Sequence, residues 1–453
     1  MKKSNKADSE AILKGKLWQV VPFIVFPAMI STFMETAWHF LNGYWVGKLG
    51  PVSFAALNIS SIFVWLFYAL LSIINTGTSA LVAQNEGANK RFLGLKAAHQ
   101  GLMASVVFSV IISIFMIVFA KFFFTMMGAK PEVIKEACSY IFYIFIFGVP
   151  FALIIGICAV LRGYGDTKTP AKALFFSMGI VFCLDPILIL GLFGFPRMGV
   201  AGGAIASNLG FVIGLFYVLK ILLSGKHRFR INRKFLSFDF SILKKIIAIG
   251  LPVSANSVLF SVVAIVIGSM IAGFGTEAMA ALGIGHRIES FCYSNCGAFS
   301  IGCIAIVGQN LGACNKERAQ EAANISLIYV AFLTIIMSFL FYFFRYELAR
   351  FFISDSGTVE EAAKYLKIIS YSQIFMGISI VLDGVFAGSG KTLIPMFITL
   401  PVVSARIPLA YFLAFNLSLG IEGIWWAITI LTFVKALLYF VWFCIGKWKT
   451  IPT

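Results

Sequence analysis

VAQNEGANKR, residues 82 to 91, and VGQNLGACNK, residues 307 to 316, are two versions of one phrase. Val82, Gln84, Asn85, Gly87 and Ala88 recur as Val307, Gln309, Asn310, Gly312 and Ala313, at a constant separation of 225 residues. The same separation links Pro27 to Pro252, Gly50 to Gly275, the triplet at 55 to 57 (AAL) to 280 to 282, and Tyr68 to Tyr293. It also carries RGYGDTKTP (162 to 170) onto AGSGKTLIP (387 to 395), so that Gly163, Gly165 and Pro170 meet Gly388, Gly390 and Pro395. A shift that holds over so long a stretch marks a duplicated unit.

The medium of that unit follows from composition. Of the 453 residues, 60% are hydrophobic and only 12% charged, with a mean hydropathy of +0.94, the signature of a chain immersed in lipid. Stretches such as 102–120, 141–161 and 327–344 hold no charged side chain apart from their flanks and are long enough to cross a bilayer as helix. Twelve spans are predicted, at 17–43, 53–83, 93–120, 133–161, 171–194, 200–223, 241–272, 276–308, 319–345, 358–387, 393–416 and 420–446. A β-barrel would show short alternating segments instead, so helices must satisfy the backbone inside the membrane. The fold class expected is an all-α membrane protein of twelve transmembrane helices.

Six spans fit within one repeat, and because six is even both copies enter the membrane with the same orientation. Two six-helix lobes, 1–223 and 241–453, are then related by a pseudo-two-fold axis along the membrane normal and joined by a linker at 224–240. A cleft between them could open to each side in turn.

The net charge of +17 is explained by where it sits. Lys and Arg concentrate at the N-terminus, in the loops leading from even to odd spans and at the C-terminus, which places both termini in the cytoplasm of a cell membrane. The start, MKKSNKADSEAILKGKL, lacks a small-residue cleavage site before a continuing apolar run, so a first helix and not a removed signal is expected. The basic run GKHRFRINRK (225 to 234) reads as orientation and contact with anionic lipid; no nucleic-acid partner is expected, since no folded domain accompanies it. The eight cysteines fall almost wholly within spans and behave as small hydrophobes. Cys292 and Cys296 are one turn apart, but only His286 lies near, short of a metal-ligand set.

Each QN-x-GA segment is expected to close the second helix of its lobe, with Gly in a left-handed cap and Asn or Gln bonding the last free carbonyls. G-x-G followed by Pro reads as a tight turn between the fourth and fifth helices. GSGKT (388 to 392) follows a membrane helix and no strand, which argues against a phosphate cradle.

Together these stretches resemble the multidrug and toxic compound extrusion (MATE) family of secondary transporters. The resemblance runs over essentially the whole chain: NGYWVGKLG at 42 to 50, the paired QN-x-GA loops, LRGYGDTKTP, LDP at 184 to 186, MGVAGGAIA at 198 to 206, GHRIESF at 285 to 291 and ARIPLAY at 405 to 411. It implies two six-helix bundles and export of amphipathic, often cationic compounds in exchange for protons or sodium, with no cofactor, as a monomer among membrane lipids.

Charged groups inside a span cost about 2.5–3.5 kcal/mol each on insertion scales, so each needs a reason. Glu35, His39 and Asn42 lie at i, i+4 and i+7 on one face of the first helix. Many relatives carry an Asp where Asn42 stands; Asn cannot release a proton, so Glu35 with His39 is the alternative coupling pair, unless the stripe is a helix contact. Asp185 matches the Asp of the family's LDP, where the resemblance implies cation binding; its other role would be to bond backbone groups freed by Pro186. In the second lobe His286 and Glu289 share a face with Tyr293, and Glu289 matches a family carboxylate implied in cation binding, with a structural ion pair to Arg406 as the alternative. Asp383, one turn before the GSG bend, is a further candidate for cation coupling. A coupling sodium would sit at Asp185 or Glu289. Tyr68, Tyr293, Asn256 and Arg406 are the candidate substrate contacts, the rings offering a face to a flat cation.

The shift of 225 takes Glu35 to Phe260 and Asp185 to Ala410, and Glu289 back to Val64. Backbone devices were kept in both copies and ionisable groups were not, so the ion site is expected within one lobe. Two other functions are open to a chain of this architecture. A flippase for lipid-linked saccharides would need a strongly basic cleft, whereas Arg287 and Arg406 are the clear intramembrane cations. An enzyme is not expected, since H-E-x-x-H, G-x-S-x-G and Asp-rich diphosphate motifs are all missing.

Overall fold

The computed structural model describes residues 4–224, 227, 229–230, 232, 235, 237–353 and 355–450, with side chains from residue 9 onward. Among the described residues there is no strand. The first lobe runs α1 (Ser4–Lys14), α2 (Leu17–Gly47), α3 (Pro51–Gly87), α4 (Arg91–Met126), α5 (Pro131–Ile146), α6 (Gly148–Gly163), α7 (Lys168–Leu190) and α8 (Val200–Leu223). The second runs α9 (Phe240–Ala272), α10 (Thr276–Gly312), α11 (Lys316–Phe343), α12 (Arg345–Arg350), α13 (Ser356–Ser370), α14 (Gln373–Ser389), α15 (Leu393–Ser404), α16 (Arg406–Tyr411) and α17 (Gly420–Ile445).

Among the described residues ten helices are long and apolar enough to cross a membrane, or up to twelve spans if each of two bent pairs is one span. The pairs are α5 with α6, bent by 54°, and α13 with α14, bent by 58°. The sequence reading expected single spans there. Pro150 explains the first bend, because it cannot donate to the carbonyl of Ile146; at the second, Tyr371 and Ser372 tighten to bonds with Ile368 and Ile369 three residues back. The bends fall at Phe147 and Ser372, again 225 apart. Along α4 the side chains Ile111, Ile114, Phe115, Val118 and Phe122 are exposed, an outward apolar face suited to lipid.

Pseudo-symmetry reaches single dihedrals. Gly50 (φ 116°) and Gly275 (φ 110°) precede α3 and α10, and Gly165 (φ 87°) and Gly390 (φ 79°) make the turns after α6 and α14, as the G-x-G pattern predicts. The QN-x-GA segments differ from expectation. Their left-handed residues are Asn89 (φ 55°) and Cys314 (φ 61°), while Gly87 and Gly312 lie inside the helices. Nor do the asparagines bond terminal carbonyls, since Asn85 and Asn310 each donate one turn back, to Leu81 and Ile306. The glycines serve a close approach instead. A Cβ on Gly87 would stand 1.9 Å from the carbonyl oxygen of Gln309, and one on Gly312 2.0 Å from that of Gln84.

The lobes meet through α2 on α10, α3 on α9 and α3 on α10. Further backbone approaches, Gly77 to Ile246 and Gly250 to Ile73, lie at the same end of these helices as the QN-x-GA segments. There too Gln84 Nε2 donates to Gly388 O at 2.9 Å and Gln309 Nε2 to Gly163 O at 3.0 Å, so each lobe grips the turn of the other. Toward the opposite end α9 keeps Ser257, Phe260, Ser261 and Ala264 exposed along one face.

The sealed end carries two additions. Helix α1, which the sequence reading took as a mere flank, tucks under the seam: Ile12 is fully buried, Ser9 Oγ donates to Gln309 Oε1 at 3.2 Å, and Arg318 donates from Nε and Nη2 to Ile12 O at 3.1 and 3.0 Å. The linker packs on α4, where Asn232 N donates to His99 Nε2 at 2.9 Å and Gln100 Nε2 to Ser237 O at 2.7 Å. Of the basic run predicted to face lipid, Gly225, Lys226, Arg228, Ile231, Arg233 and Lys234 lie outside the described residues.

Candidate functional site

Asp185 is fully buried in the middle of the first lobe. Its Oδ2 accepts from Asn42 Nδ2 at 3.2 Å, and its Oδ1 is buried with no partner among the described residues. The alternative bonds to backbone freed by Pro186 are not formed among the described residues. Three helices assemble the pair: α2 brings Asn42, α7 brings Asp185, and α8 closes on both through adjacent glycines. A Cβ on Gly203 would come within 2.7 Å of Asn42 Nδ2, and one on Gly202 within 2.6 Å of the Leu188 carbonyl. Tyr140 on α5, itself buried, lies within electrostatic reach of the carboxylate. A buried carboxylate with a free oxygen, beside an amide that cannot titrate, has the chemistry to hold one small cation or proton.

The rest of the predicted α2 stripe separates from this pair. Glu35 is half-buried and His39 exposed, with the His39 ring against Trp38 at 4.5 Å. Glu35 makes no hydrogen bond or ion pair among the described contacts, and Arg162, in the last turn of α6, is its electrostatic neighbour. The sequence reading missed Arg162. A cation in a span's last turn that becomes Ala387 in the other copy was the signal available.

In the second lobe Glu289 is buried and doubly held: Tyr365 OH donates to Oε2 at 2.9 Å and Gln373 Nε2 to Oε1 at 3.0 Å. The alternative ion pair with Arg406 is not formed among the described residues. Arg406 instead donates from Nη2 to Thr432 Oγ1 at 2.9 Å and stands 5.5 Å from the ring centroid of Phe260, with its Nε buried and unpartnered. Tyr293 lies within electrostatic reach of both Glu289 and Arg406. His286 is exposed and meets Tyr365 edge to face at 6.2 Å. Arg287 reaches across the lobes to the ring of Phe40 at 5.9 Å.

Asp383 belongs to another arrangement. Lys435 Nζ lies 3.6 Å from its Oδ2 and Tyr439 OH donates to Oδ1 at 2.8 Å, so its charge is answered locally. Of the candidate substrate contacts, Tyr68 packs edge-on against Phe151 at 4.8 Å, and Asn256 keeps a buried, unpartnered Oδ1. No group of three or more His, Cys, Asp or Glu side chains gathers as a metal site among the described residues.

Comparison with known proteins agrees with the duplicated helical fold. The MatE family model matches twice, at residues 27–187 and 252–412, the same 225 residues apart as the repeat. The probable multidrug resistance protein YoeA of Bacillus subtilis is 26% identical over 421 residues, covering 91% of this chain and 90% of its own. An FAD transporter of Shewanella oneidensis is 26% identical over 386 residues, 83% of each. Among solved structures, a MOP superfamily transporter from Pyrococcus furiosus superposes with a TM-score of 0.91 at 24% identity over 97% of this chain and 98% of that one. A multidrug resistance MATE family transporter in an outward-facing conformation gives 0.90 at 23% identity over 96% of each chain. With more than half of its length matched by two copies of one family model, the chain belongs to the MatE family of membrane transporters.

Proposed function

We propose that the protein exports amphipathic, often cationic compounds by antiport, through rocking of its two lobes about the seam between α2, α3, α9 and α10. The lobes are residues 1–223 and 241–453 around the 224–240 linker, working as a monomer with both termini cytoplasmic. The sealed end then faces the cytoplasm and the cleft opens outward. The observation that carries the reading is the Asn42–Asp185 pair. It offers one fully buried carboxylate oxygen with no partner among the described residues, which makes a proton or sodium ion its natural occupant. No resident cofactor is required, because the ion gradient supplies the driving force.

Ion occupancy of Asp185 would change the charge buried between α2, α7 and α8, and thereby bias the lobe containing them. Substrate would sit between the lobes, where Tyr68, Tyr293 and the ring of Phe260 offer faces to a flat cation. Glu289 is the second candidate for coupling, although both of its oxygens are already engaged by Tyr365 and Gln373.

The test is dye accumulation in proteoliposomes of known protein orientation, with proton and sodium gradients imposed separately. Asp185→Asn should abolish ion-driven accumulation while leaving the protein folded, and Glu289→Gln should retain it. Full transport by Asp185→Asn would overturn the assignment.

A further inference from the structure

A cavity of about 360 Å³ lies at the open-end face of the first lobe, apart from the cleft between the lobes. Leu49, Ser53, Glu136, Ser139, Arg197 and Val200 are among the residues that line it. Three chain segments place its floor just above the Asn42–Asp185 pair. Leu49 is seven residues beyond Asn42, about 10 Å along the chain axis of α2. Val200 opens α8 one turn before Gly203, whose backbone abuts Asn42. Met198 N donates to Leu188 O at 3.0 Å, which pins the lining loop over α7 one turn past Asp185.

The polar groups continue inward. Glu136 Oε2 is buried without a partner among the described residues, and Ser53 and Ser139 add hydroxyl oxygens beside it. One turn deeper on the same face of α5 comes Tyr140, which is buried and in electrostatic reach of Asp185. Asp185 itself keeps its Oδ1 free of partners among the described residues.

Resting on the coupling role given to Asp185 above, we propose that this cavity is a separate ion vestibule. A monovalent cation, proton or sodium, enters there, is drawn in by Glu136, and passes Tyr140 to reach Asp185 without using the cleft that holds substrate. Carboxylate and hydroxyl oxygens suit a hard cation. Arg197, exposed at the rim, keeps the ion's stay short, as conduction requires a site weak enough to leave. Ion and drug then have different doorways, and neither must wait for the other to clear.

The experiment uses full-length purified protein in which Cys138, Cys183, Cys314 and Cys444 are replaced by Ser, so that Ser139→Cys presents the cavity's thiol. The ion response is read as the change in tryptophan emission after a rapid sodium or proton jump, Trp38 lying one turn from Asn42. Attaching a bulky uncharged maleimide at the introduced thiol should slow that response at least about tenfold, leaving its equilibrium midpoint unchanged. Glu136→Gln should slow it about tenfold through lost charge attraction, and serves if the thiol variant does not fold. An unslowed response in a protein shown by mass to be fully modified would overturn the vestibule while leaving Asp185 in place. An unmodified protein whose emission responds to neither ion, or whose response survives Asp185→Asn, would overturn the coupling assignment itself and this proposal with it.

Discussion

Gln84 of one lobe donates to the carbonyl of Gly388 in the other at 2.9 Å, and Gln309 returns the bond to Gly163 at 3.0 Å. The two bonds are copies of each other under the repeat, and all four residues are buried. Parting the lobes must break both and leave two carbonyls and two amides to find water. Gln84→Ala leaves the Gly388 carbonyl unsatisfied, at a cost of about 1–3 kcal/mol in the sealed state. Distances between spin labels across the seam should lengthen in the variant, and an unchanged distribution would count against the seal.

The glycines of the seal admit no side chain. A Cβ on Gly87 would lie 1.9 Å from Gln309 O, a backbone atom that cannot swing aside. Gly87→Ala should therefore separate the lobes or lower the unfolding temperature, with a penalty of about 1–3 kcal/mol or more from overpacking. Gly43, in α2, has open space where its Cβ would go, so Gly43→Ala is the control that should not lower stability.

Arg318 holds helix α1 beneath the seam by bonds to the carbonyls of Ile12 and Gly15. Arg318→Ala removes these charge-assisted bonds, worth about 1.5–3 kcal/mol each at most. Trypsin should then cut after Lys14 and Lys16 faster than in the parent, by at least about tenfold. Equal cleavage would show that Ile12 burial alone secures the helix.

Asp166, in the turn between α6 and α7, makes the stability of the fold depend on pH. Burial raises its carboxyl, but the His227 ring 3.4 Å away and two donors from Thr169 at 2.9 and 2.6 Å outweigh it and hold the group below its ordinary value. A depressed folded value contributes stability above the ordinary carboxylate range, and that stability is lost as pH falls through the folded value. Asp166→Asn should cost about 1–3 kcal/mol near neutral pH, and the gap to the parent should close in the acid range below about pH 4. Thermal unfolding at both pH values checks the sign.

Tyr365 and Gln373 hold Glu289 from 76 and 84 residues away. Removing one donor from a buried carboxylate costs more than replacing the carboxylate. Tyr365→Phe should therefore destabilise by about 1.5–3 kcal/mol, and the effect should shrink in a Glu289→Gln background, as a double-mutant cycle would measure.

What could be read in advance was whatever repeats or obeys a local rule. The constant shift, the apolar runs and the G-x-G turns announced two six-span lobes, because a backbone that must turn or approach closely accepts Gly and little else. The same local logic misassigned Gly87 and Gly312 to helix caps, since a cap and a tight crossing ask for the same residue and only the partner helix distinguishes them. Asp185 was legible as a cost in need of a reason, but its bond to Asn42 spans 143 residues. Likewise Asp383 and Lys435 look alike as intramembrane charges until α14 and α17 lie side by side. Helix α1 gave little warning, because its burial depends on a groove that exists only after both lobes have docked.

The backbone-to-backbone contact at Gly87 and Gly312 also bears on insulation. With main chain touching main chain and no side chain interposed at that crossing, water is squeezed from between the two helices there, and the buried glutamine amides beside it are already spent on the Gly163 and Gly388 carbonyls. A membrane studded with this protein in its resting posture should hold its voltage as well as bare lipid does.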